Sequence, residues 1–174
     1  MKKLYIYILF PFLIILACCR TVTAQPSSPQ FDRGWFSFGL GQDFSTNKEI
    51  NGRLAGSLTI NWGRNKFWQA GYSANSEILG TTHFSAIHAG RGISSVNRWF
   101  RVSAAGGPAF IWGRENDHKQ QKKINFYSAG IVGDAQLFFT PVKEMGIGVQ
   151  FSGNLNFKHP LGGYRLIIVI EGHK

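Results

Sequence analysis

The chain has 174 residues and carries 19 Lys and Arg against 9 Asp and Glu, a formal net charge of +10. This length allows one ordinary domain and hardly two. The basic residues form neither a helical stripe nor a compact cluster with interleaved aromatics, so the charge does not predict nucleic-acid binding. Anionic lipid headgroups or lipopolysaccharide phosphates are the expected neighbours.

The N-terminal residues follow the order of a secretory signal peptide. A basic Met-Lys-Lys start precedes an apolar run over residues 4–19, and small side chains come before Gln25. We therefore predict a signal peptide over residues 1–24, cleaved between Ala24 and Gln25. The alternative is an uncleaved anchor, but the run is about sixteen residues long and contains Pro11, whereas a spanning helix needs about twenty.

Both cysteines of the chain, Cys18 and Cys19, lie in this leader. Residues 15–18 (Ile-Leu-Ala-Cys) loosely resemble a lipobox, so lipidation of Cys18 is a second possible route of processing. Beyond the leader there is no thiol, which excludes a disulfide, a thiolate metal site and a cysteine nucleophile from the mature chain. Residues 25–33 contain two prolines and are predicted to be an exposed lead-in.

From Gly34 onward, large apolar residues alternate with small or polar ones at a period of two, which predicts β-strands. The predicted strands are, in chain order, Gly34–Gly41, Asn51–Trp62, Lys66–Ala74, Thr82–Arg91, Arg98–Trp112, Ile124–Phe139, Glu144–Asn156 and Gly162–Glu171. The fourth strand is the least clear, because its apolar residues do not fall on one face. In the fifth, Pro108 cannot donate a ladder hydrogen bond and predicts a bulge or bend.

The connections between these strands alternate in length. Three of the odd connections are longer: Asp43–Ile50, Asn75–Thr81 and Gly113–Lys123. The last odd connection, Phe157–Leu161, is short. The even ones are shorter: Gly63–Asn65, Gly92–Asn97 and Thr140–Lys143. Outer-membrane barrels have an even number of strands, short periplasmic turns and longer outer loops. The pattern predicts an all-β fold, a single closed up-and-down antiparallel barrel of eight strands over residues 34–174.

The face opposite the large apolar residues is mostly Gly, Ser and Ala, with five ions: Arg53, Arg101, Asp134, Arg165 and Glu171. Small residues and paired ions suit the narrow lumen of an eight-stranded barrel. We therefore predict a transmembrane barrel with a plugged lumen and a lipid-facing apolar surface. A gated pore is the alternative role of the ions, and a soluble periplasmic lipocalin-like binder is the alternative fold.

Aromatic residues near the strand ends are predicted to form girdles at the two membrane interfaces. They are Trp35, Trp62, Trp68, Trp99, Trp112, Tyr127 and Tyr164.

This pattern resembles the small eight-stranded outer-membrane barrels of Gram-negative bacteria, typified by outer membrane protein X and the transmembrane domain of outer membrane protein A. The residues that carry the resemblance are Gly133–Pro141, Gly146–Val149 and the start of the last strand, Gly162–Arg165. The resemblance implies an outer-membrane monomer in contact with lipid and lipopolysaccharide, inserted by the barrel insertion machinery, without a cofactor. Many such barrels end on an aromatic residue, whereas this chain ends Glu-Gly-His-Lys.

Candidate catalytic residues are few. His83 and Ser85 share one face of a predicted strand, and Glu77 precedes them in a predicted loop. The pair resembles the His-x-Ser pair of outer-membrane lipid A deacylases, although such a pair also arises easily by chance. No zinc or phosphate-binding motif is present, and no metal is predicted. A non-enzymatic structural or surface-interaction role is our leading hypothesis, with a lipid-modifying enzyme as the alternative.

The most charged connection, Gly113–Lys123, supplies the candidate binding residues. They are Arg114, His118, Lys119, Lys122 and Lys123. An exposed cationic loop would bind a polyanion, lipopolysaccharide or a partner protein; a solvated hairpin loop is the simpler interpretation.

Overall fold

Eight antiparallel strands close into one barrel. The computed structural model describes residues 34–45, 53–76, 82–117, 122–142, 144–157 and 160–172, so the predicted signal peptide and lead-in lie outside the described residues. The strands are β1 (Trp35–Ser45), β2 (Arg53–Gly63), β3 (Lys66–Ser76), β4 (His83–Val96), β5 (Phe100–Asp117), β6 (Lys122–Val142), β7 (Met145–Asn156) and β8 (Leu161–Glu171). Each strand pairs with the next, and β1 also pairs with β8, which leaves the sheet without a free edge. The predicted up-and-down barrel is confirmed.

The two ends of the barrel differ. At the turn end, β1 begins, β8 ends, and turns join β2 to β3, β4 to β5 and β6 to β7. Gly63 has a φ of +124° there, which a residue with a side chain rarely adopts. Ser94 of β4 holds the first of these turns, because its Oγ donates a 2.5 Å hydrogen bond to the carbonyl of Arg64. The opposite end, where β1 connects to β2 and β7 to β8, is the loop end. In the part of the chain that the structure describes, no helix has the length and hydropathy to cross a bilayer.

Several strands are longer than the sequence predicted, and the largest differences are in β1, β4, β5 and β6. β4 continues to Val96, so residues 92–96 are strand and not part of a connection. β5 and β6 remain paired out to Asp117 and Lys122, so most of the predicted loop Gly113–Lys123 is a hairpin ladder. The ladder is made by backbone groups, and it continues where the side-chain alternation that revealed the strands has already faded.

Of the bulge or bend predicted at Pro108, the bulge is absent, although the β4–β5 ladder is interrupted between the pairs His88–Ala109 and Arg91–Gly106. The β5–β6 ladder passes through the pair Pro108 and Ile131 without a change of register. A missing N–H donor removes hydrogen bonds, but a bulge requires an extra residue, and none is inserted here. In the described ladders, a register shift occurs where β6 pairs with β7, between Phe139 and Val142.

Beside Pro108, β4 and β5 approach so closely that a side chain would not fit. A Cβ atom added to Gly107 would lie 2.1 Å from the carbonyl oxygen of Ala89. We expect Gly107→Ala to lower the free energy of unfolding by about 1–3 kcal/mol, because the strands must separate to admit the methyl group. Urea unfolding followed by tryptophan fluorescence measures this loss. Gly153→Ala is the control, since a Cβ there meets no atom within 4 Å, and equal losses in the two variants would contradict the steric explanation.

The described side chains of the strands alternate between the lumen and the exterior. The exterior is apolar, and even the large side chains there are strongly exposed, as Leu166 (68 %) and Leu54 (57 %) show. The other exposed aliphatic and phenylalanine side chains of this surface include Phe38, Leu40, Ile60, Ile87, Phe110, Ile131, Leu137, Ile147, Phe151, Leu155, Ile168 and Ile170. A lipocalin-like binder would have this apolar face inside. The polarity is therefore the reverse of that of a soluble barrel.

Candidate functional site

The lumen is filled in three layers, and the layer at the turn end is an aromatic plug. We call it the turn-end plug; its buried members are Trp35, Phe67, Ala105, Phe138, Ile167 and Val169. The rings of Trp35 and Phe67 meet edge to face at 4.7 Å. The guanidinium of Arg101 lies 4.3 Å from the ring of Trp35, and its Nε is 3.8 Å from Oε1 of Glu171. A buried ion pair thus closes this end together with the aromatic rings.

The prediction that Trp35 belongs to an interfacial girdle is wrong. Trp35 is 2 % exposed and points inward, because it shares the face of Ser37 while Phe36 and Phe38 point out. Five of the other six predicted girdle residues are exposed on the outer surface or at its ends: Trp62, Trp68, Trp99, Tyr127 and Tyr164. The sixth, Trp112, is half-buried.

Amide side chains form the middle layer, the amide network. Oε1 of Gln136 accepts a 3.1 Å hydrogen bond from the indole of Trp35, which links this layer to the plug. Oδ2 of Asp134 accepts hydrogen bonds from Gln69 at 3.0 Å and from Gln150 at 3.1 Å. Gln150 in turn accepts a 2.7 Å hydrogen bond from Ser57. The carboxylate of Asp134 is thus held by side chains from β3 and β7, and cross-linking of this kind makes the lumen rigid.

An ion pair and a second apolar cluster form the layer at the loop end. Nη2 of Arg165 donates a 2.7 Å hydrogen bond to Oδ1 of Asp43, and Nη1 of Arg165 bonds to Ser152. Asn75 donates to the other carboxylate oxygen of Asp43 at 2.8 Å. The neighbouring cluster is the loop-end plug, formed by Phe84, Ala86, Ile111, Phe126 and Leu161. The guanidinium of Arg53 lies 4.4 Å from the ring of Phe84.

A small polar cavity lies between the amide network and the loop-end plug. Its volume is about 40 Å³, and its wall includes Asp43, Asn75, His88, Asp134 and Arg165. A space of this size holds a few water molecules, since one water needs about 10–15 Å³ measured in this way. The cavity can hydrate polar groups that would otherwise be buried dry, but it is too small for a sugar or a nucleotide.

All five ions predicted for the lumen are buried there: Arg53, Arg101, Asp134, Arg165 and Glu171. The five ions do not form one network among themselves. Arg101 and Glu171 pair with one another, whereas Arg165 pairs with Asp43, a residue predicted to lie in a connection. Alternation along β1 could have found Asp43, because it continues the inward series of Trp35, Ser37, Gly39 and Gly41.

The lumen also contains larger side chains than the small residues that we predicted. Phenylalanine and tryptophan rings close both of its ends, and glutamine fills its middle. Strands β3 and β6 contribute Phe67, Phe126 and Phe138, which the alternation along these strands places on the inward face.

The candidate catalytic residues do not form a nucleophile–base pair among the described side chains. His83 and Ser85 both lie on the outward face of β4, where His83 is exposed. The hydroxyl of Ser85 shares a 3.3 Å hydrogen bond with the hydroxyl of Tyr72. Glu77 lies outside the described residues. Across the described ranges, no group of three or more His, Cys, Asp or Glu is arranged to hold a metal ion.

The candidate binding residues belong to the β5–β6 hairpin. Arg114 is exposed, and its Nε donates a 3.2 Å hydrogen bond to Asn125 across the ladder. Lys122 and Lys123 are the first two residues of β6. His118 and Lys119 lie outside the described residues.

Comparison with solved structures supports the fold. No protein-family model matches the sequence, and a search of curated proteins finds no relative. Similar solved structures include the attachment invasion locus protein Ail of Yersinia pestis (TM-score 0.59, 11 % identity, 81 % of this chain and 99 % of that one). The N-terminal β-barrel domain of Pseudomonas aeruginosa OprF has a TM-score of 0.63 at 8 % identity over 82 % and 99 %. Neisserial surface protein A has 0.58 at 6 % over 80 % and 96 %. This chain shares the fold of these small barrels.

Proposed function

We propose that this protein is a non-enzymatic barrel of a Gram-negative outer membrane, with a closed lumen and a structural or surface-interaction role. The observation that carries the proposal is a filled polar lumen inside an apolar exterior. A surface of exposed Leu, Ile and Phe is unfavourable in water and favourable in lipid. The likeness in fold to Ail, OprF and neisserial surface protein A supports the same location.

The filling of the lumen supports a structural role over a pore. The two plugs and the amide network occupy the cross-section that an ion would have to pass, and eight strands leave little space between side chains. The ion pairs, Arg101 with Glu171 and Arg165 with Asp43, connect different strands inside this space. They support the role of a plug that holds the barrel together.

The β5–β6 hairpin supports a surface-interaction role. In the described ladders, β4 pairs with β5 only as far as Arg114, and β7 pairs with β6 only as far as Gly130, but β5 and β6 pair with each other to Asp117. The hairpin therefore projects beyond its neighbours at the loop end. Its basic residues suit an anionic partner such as lipopolysaccharide, which we propose as the class of ligand.

The outward pair of His83 and Ser85 gives little support to the alternative of a lipid-modifying enzyme. A serine nucleophile needs a base within hydrogen-bond reach, and the hydroxyl of Ser85 is instead bonded to Tyr72. Unchanged lipid A acylation in a His83→Ala, Ser85→Ala variant would agree with the non-enzymatic role.

Reconstitution of the full-length protein tests location and closure together. We expect the barrel to float with phospholipid vesicles in a density gradient and to migrate faster on a gel before boiling than after it. In a planar bilayer it should add no ion conductance above that of the bare membrane. A chain that is folded and monomeric in plain buffer would contradict the membrane location, and stable single-channel currents would contradict the closed lumen.

A further inference from the structure

Two basic side chains share the outer surface of the barrel near the turn end. Lys66 is the first residue of β3, and Arg91 lies on β4; both are exposed. The ladder places Trp68 directly opposite Arg91 and Ile93 opposite Lys66, so the two cations are diagonal neighbours on one face. Diagonal neighbours in an antiparallel pair are about 7–8 Å apart, which lets both long side chains reach one small anion.

Trp68 and its surroundings orient Arg91. The guanidinium of Arg91 lies 4.5 Å from the ring of Trp68, which is itself exposed. On the other side of Arg91 the ladder partner is Gly106, which has no side chain to cover the guanidinium. The guanidinium therefore lies close to the indole on one side and has no side chain beside it at Gly106.

Among the described side chains, neither cation has an acidic partner on this surface. The carboxylates of Asp43, Asp134 and Glu171 point into the lumen, Glu144 lies in the turn between β6 and β7, and none of these forms an ion pair with Lys66 or Arg91. An arginine on the apolar face of a transmembrane strand is costly unless it reaches the interface or an anion. The exposed side chains next to Arg91 are apolar apart from Lys66: Trp68 is opposite it and Ile93 follows on the same face, while Trp62 lies beyond Trp68 on β2.

We propose that Lys66, Trp68 and Arg91 form a binding site for the phosphodiester headgroup of an anionic membrane phospholipid. A guanidinium recognises phosphate with two parallel hydrogen bonds, an ammonium adds a point charge, and tryptophan is favoured at the level of lipid headgroups. The acyl chains of the lipid would lie along the exposed apolar surface of β3 and β4. This inference rests on the proposed membrane location.

Native mass spectrometry of the full-length barrel, released from detergent micelles doped with phosphatidylglycerol or phosphatidylcholine, tests the site. We expect the wild-type barrel to retain phosphatidylglycerol in preference to phosphatidylcholine. Arg91→Gln and Lys66→Gln should each weaken phosphatidylglycerol binding about five-fold, the factor expected for one basic residue near an anionic surface. Lys66→Arg keeps the positive charge and should retain most of the affinity for phosphatidylglycerol.

Arg98→Gln is the matched control. Arg98 also lies at the turn end and packs on a tryptophan, with its guanidinium 5.2 Å from the ring of Trp99, and the substitution removes the same charge. Unchanged binding in Arg98→Gln supports a defined site. An equal loss in Arg98→Gln, or no loss in Arg91→Gln and Lys66→Gln, would overturn it.

The gel shift before and after boiling shows whether each variant is folded, and flotation separates the two proposals. If the barrel does not float with vesicles, the proposed membrane location is wrong. If the barrel floats but binds phosphatidylglycerol and phosphatidylcholine equally, only the proposed headgroup site is wrong.

Discussion

Asp43→Ala is expected to lower the free energy of unfolding by about 3–5 kcal/mol, because it leaves a buried guanidinium without its carboxylate. Arg165 and Asp43 are both nearly inaccessible to solvent, and their atoms meet at 2.7 Å. The amide of Asn75 would also lose its acceptor on Asp43. Urea unfolding of the barrel in phosphatidylcholine vesicles, followed by tryptophan fluorescence, measures the change.

Two further variants separate the ion pair from other effects. Gln42→Ala alters the residue next to Asp43, but Gln42 points outward and its Oε1 accepts a 3.1 Å hydrogen bond from Tyr164 on the exposed surface. It should cost much less. The double variant Asp43→Ala, Arg165→Met removes both charges and should recover a large part of the loss. A loss in Asp43→Ala no greater than in Gln42→Ala would show that the pair does not stabilise the lumen.

Trp35→Ala is expected to have an effect of similar size by a different mechanism. Removing a buried indole leaves a cavity at the turn end and typically costs about 3–5 kcal/mol. Arg101 would lose the ring on which it packs, and Gln136 would lose the indole donor. Because the turn-end plug fills one end of the lumen, the variant should show more ion conductance in planar bilayers than the wild type.

Trp62→Ala is the control for the loss of a tryptophan. Trp62 is at the same end, but its side chain is on the outer surface and 47 % exposed. We expect a smaller loss of stability and no change of conductance. If the two variants lost equal stability and neither conducted, the idea that Trp35 seals the lumen would be wrong.

The fold was predictable because the strands of a barrel show a simple alternation of apolar with small or polar residues in the sequence. Each strand has outward-facing apolar residues on one side and lumen residues on the other, so its sequence keeps a period of two. The same alternation places Trp35 with Ser37 on the inner face of β1. It also places Asp43 on that face if the predicted strand is extended by two residues beyond Gly41. Position on a face was therefore readable, even where the predicted role was wrong.

Strand ends and side-chain partners were less predictable. β4 reaches Val96 and β5 reaches Asp117 because backbone pairing continues past the apolar pattern. The sequence also contains nothing that pairs Arg165 with Asp43, 122 positions apart. That contact exists because closing the sheet brings β8 beside β1.

The sequence by itself determined the strand number, the antiparallel order and which face of most strands points outward, because these depend on local alternation and on connection length. Only the tertiary structure decided how the lumen is filled: the two plugs, the amides around Asp134, and the partner of each buried ion. The physical reason is that alternation specifies only the direction of a side chain, whereas its neighbours depend on the register with which eight strands close.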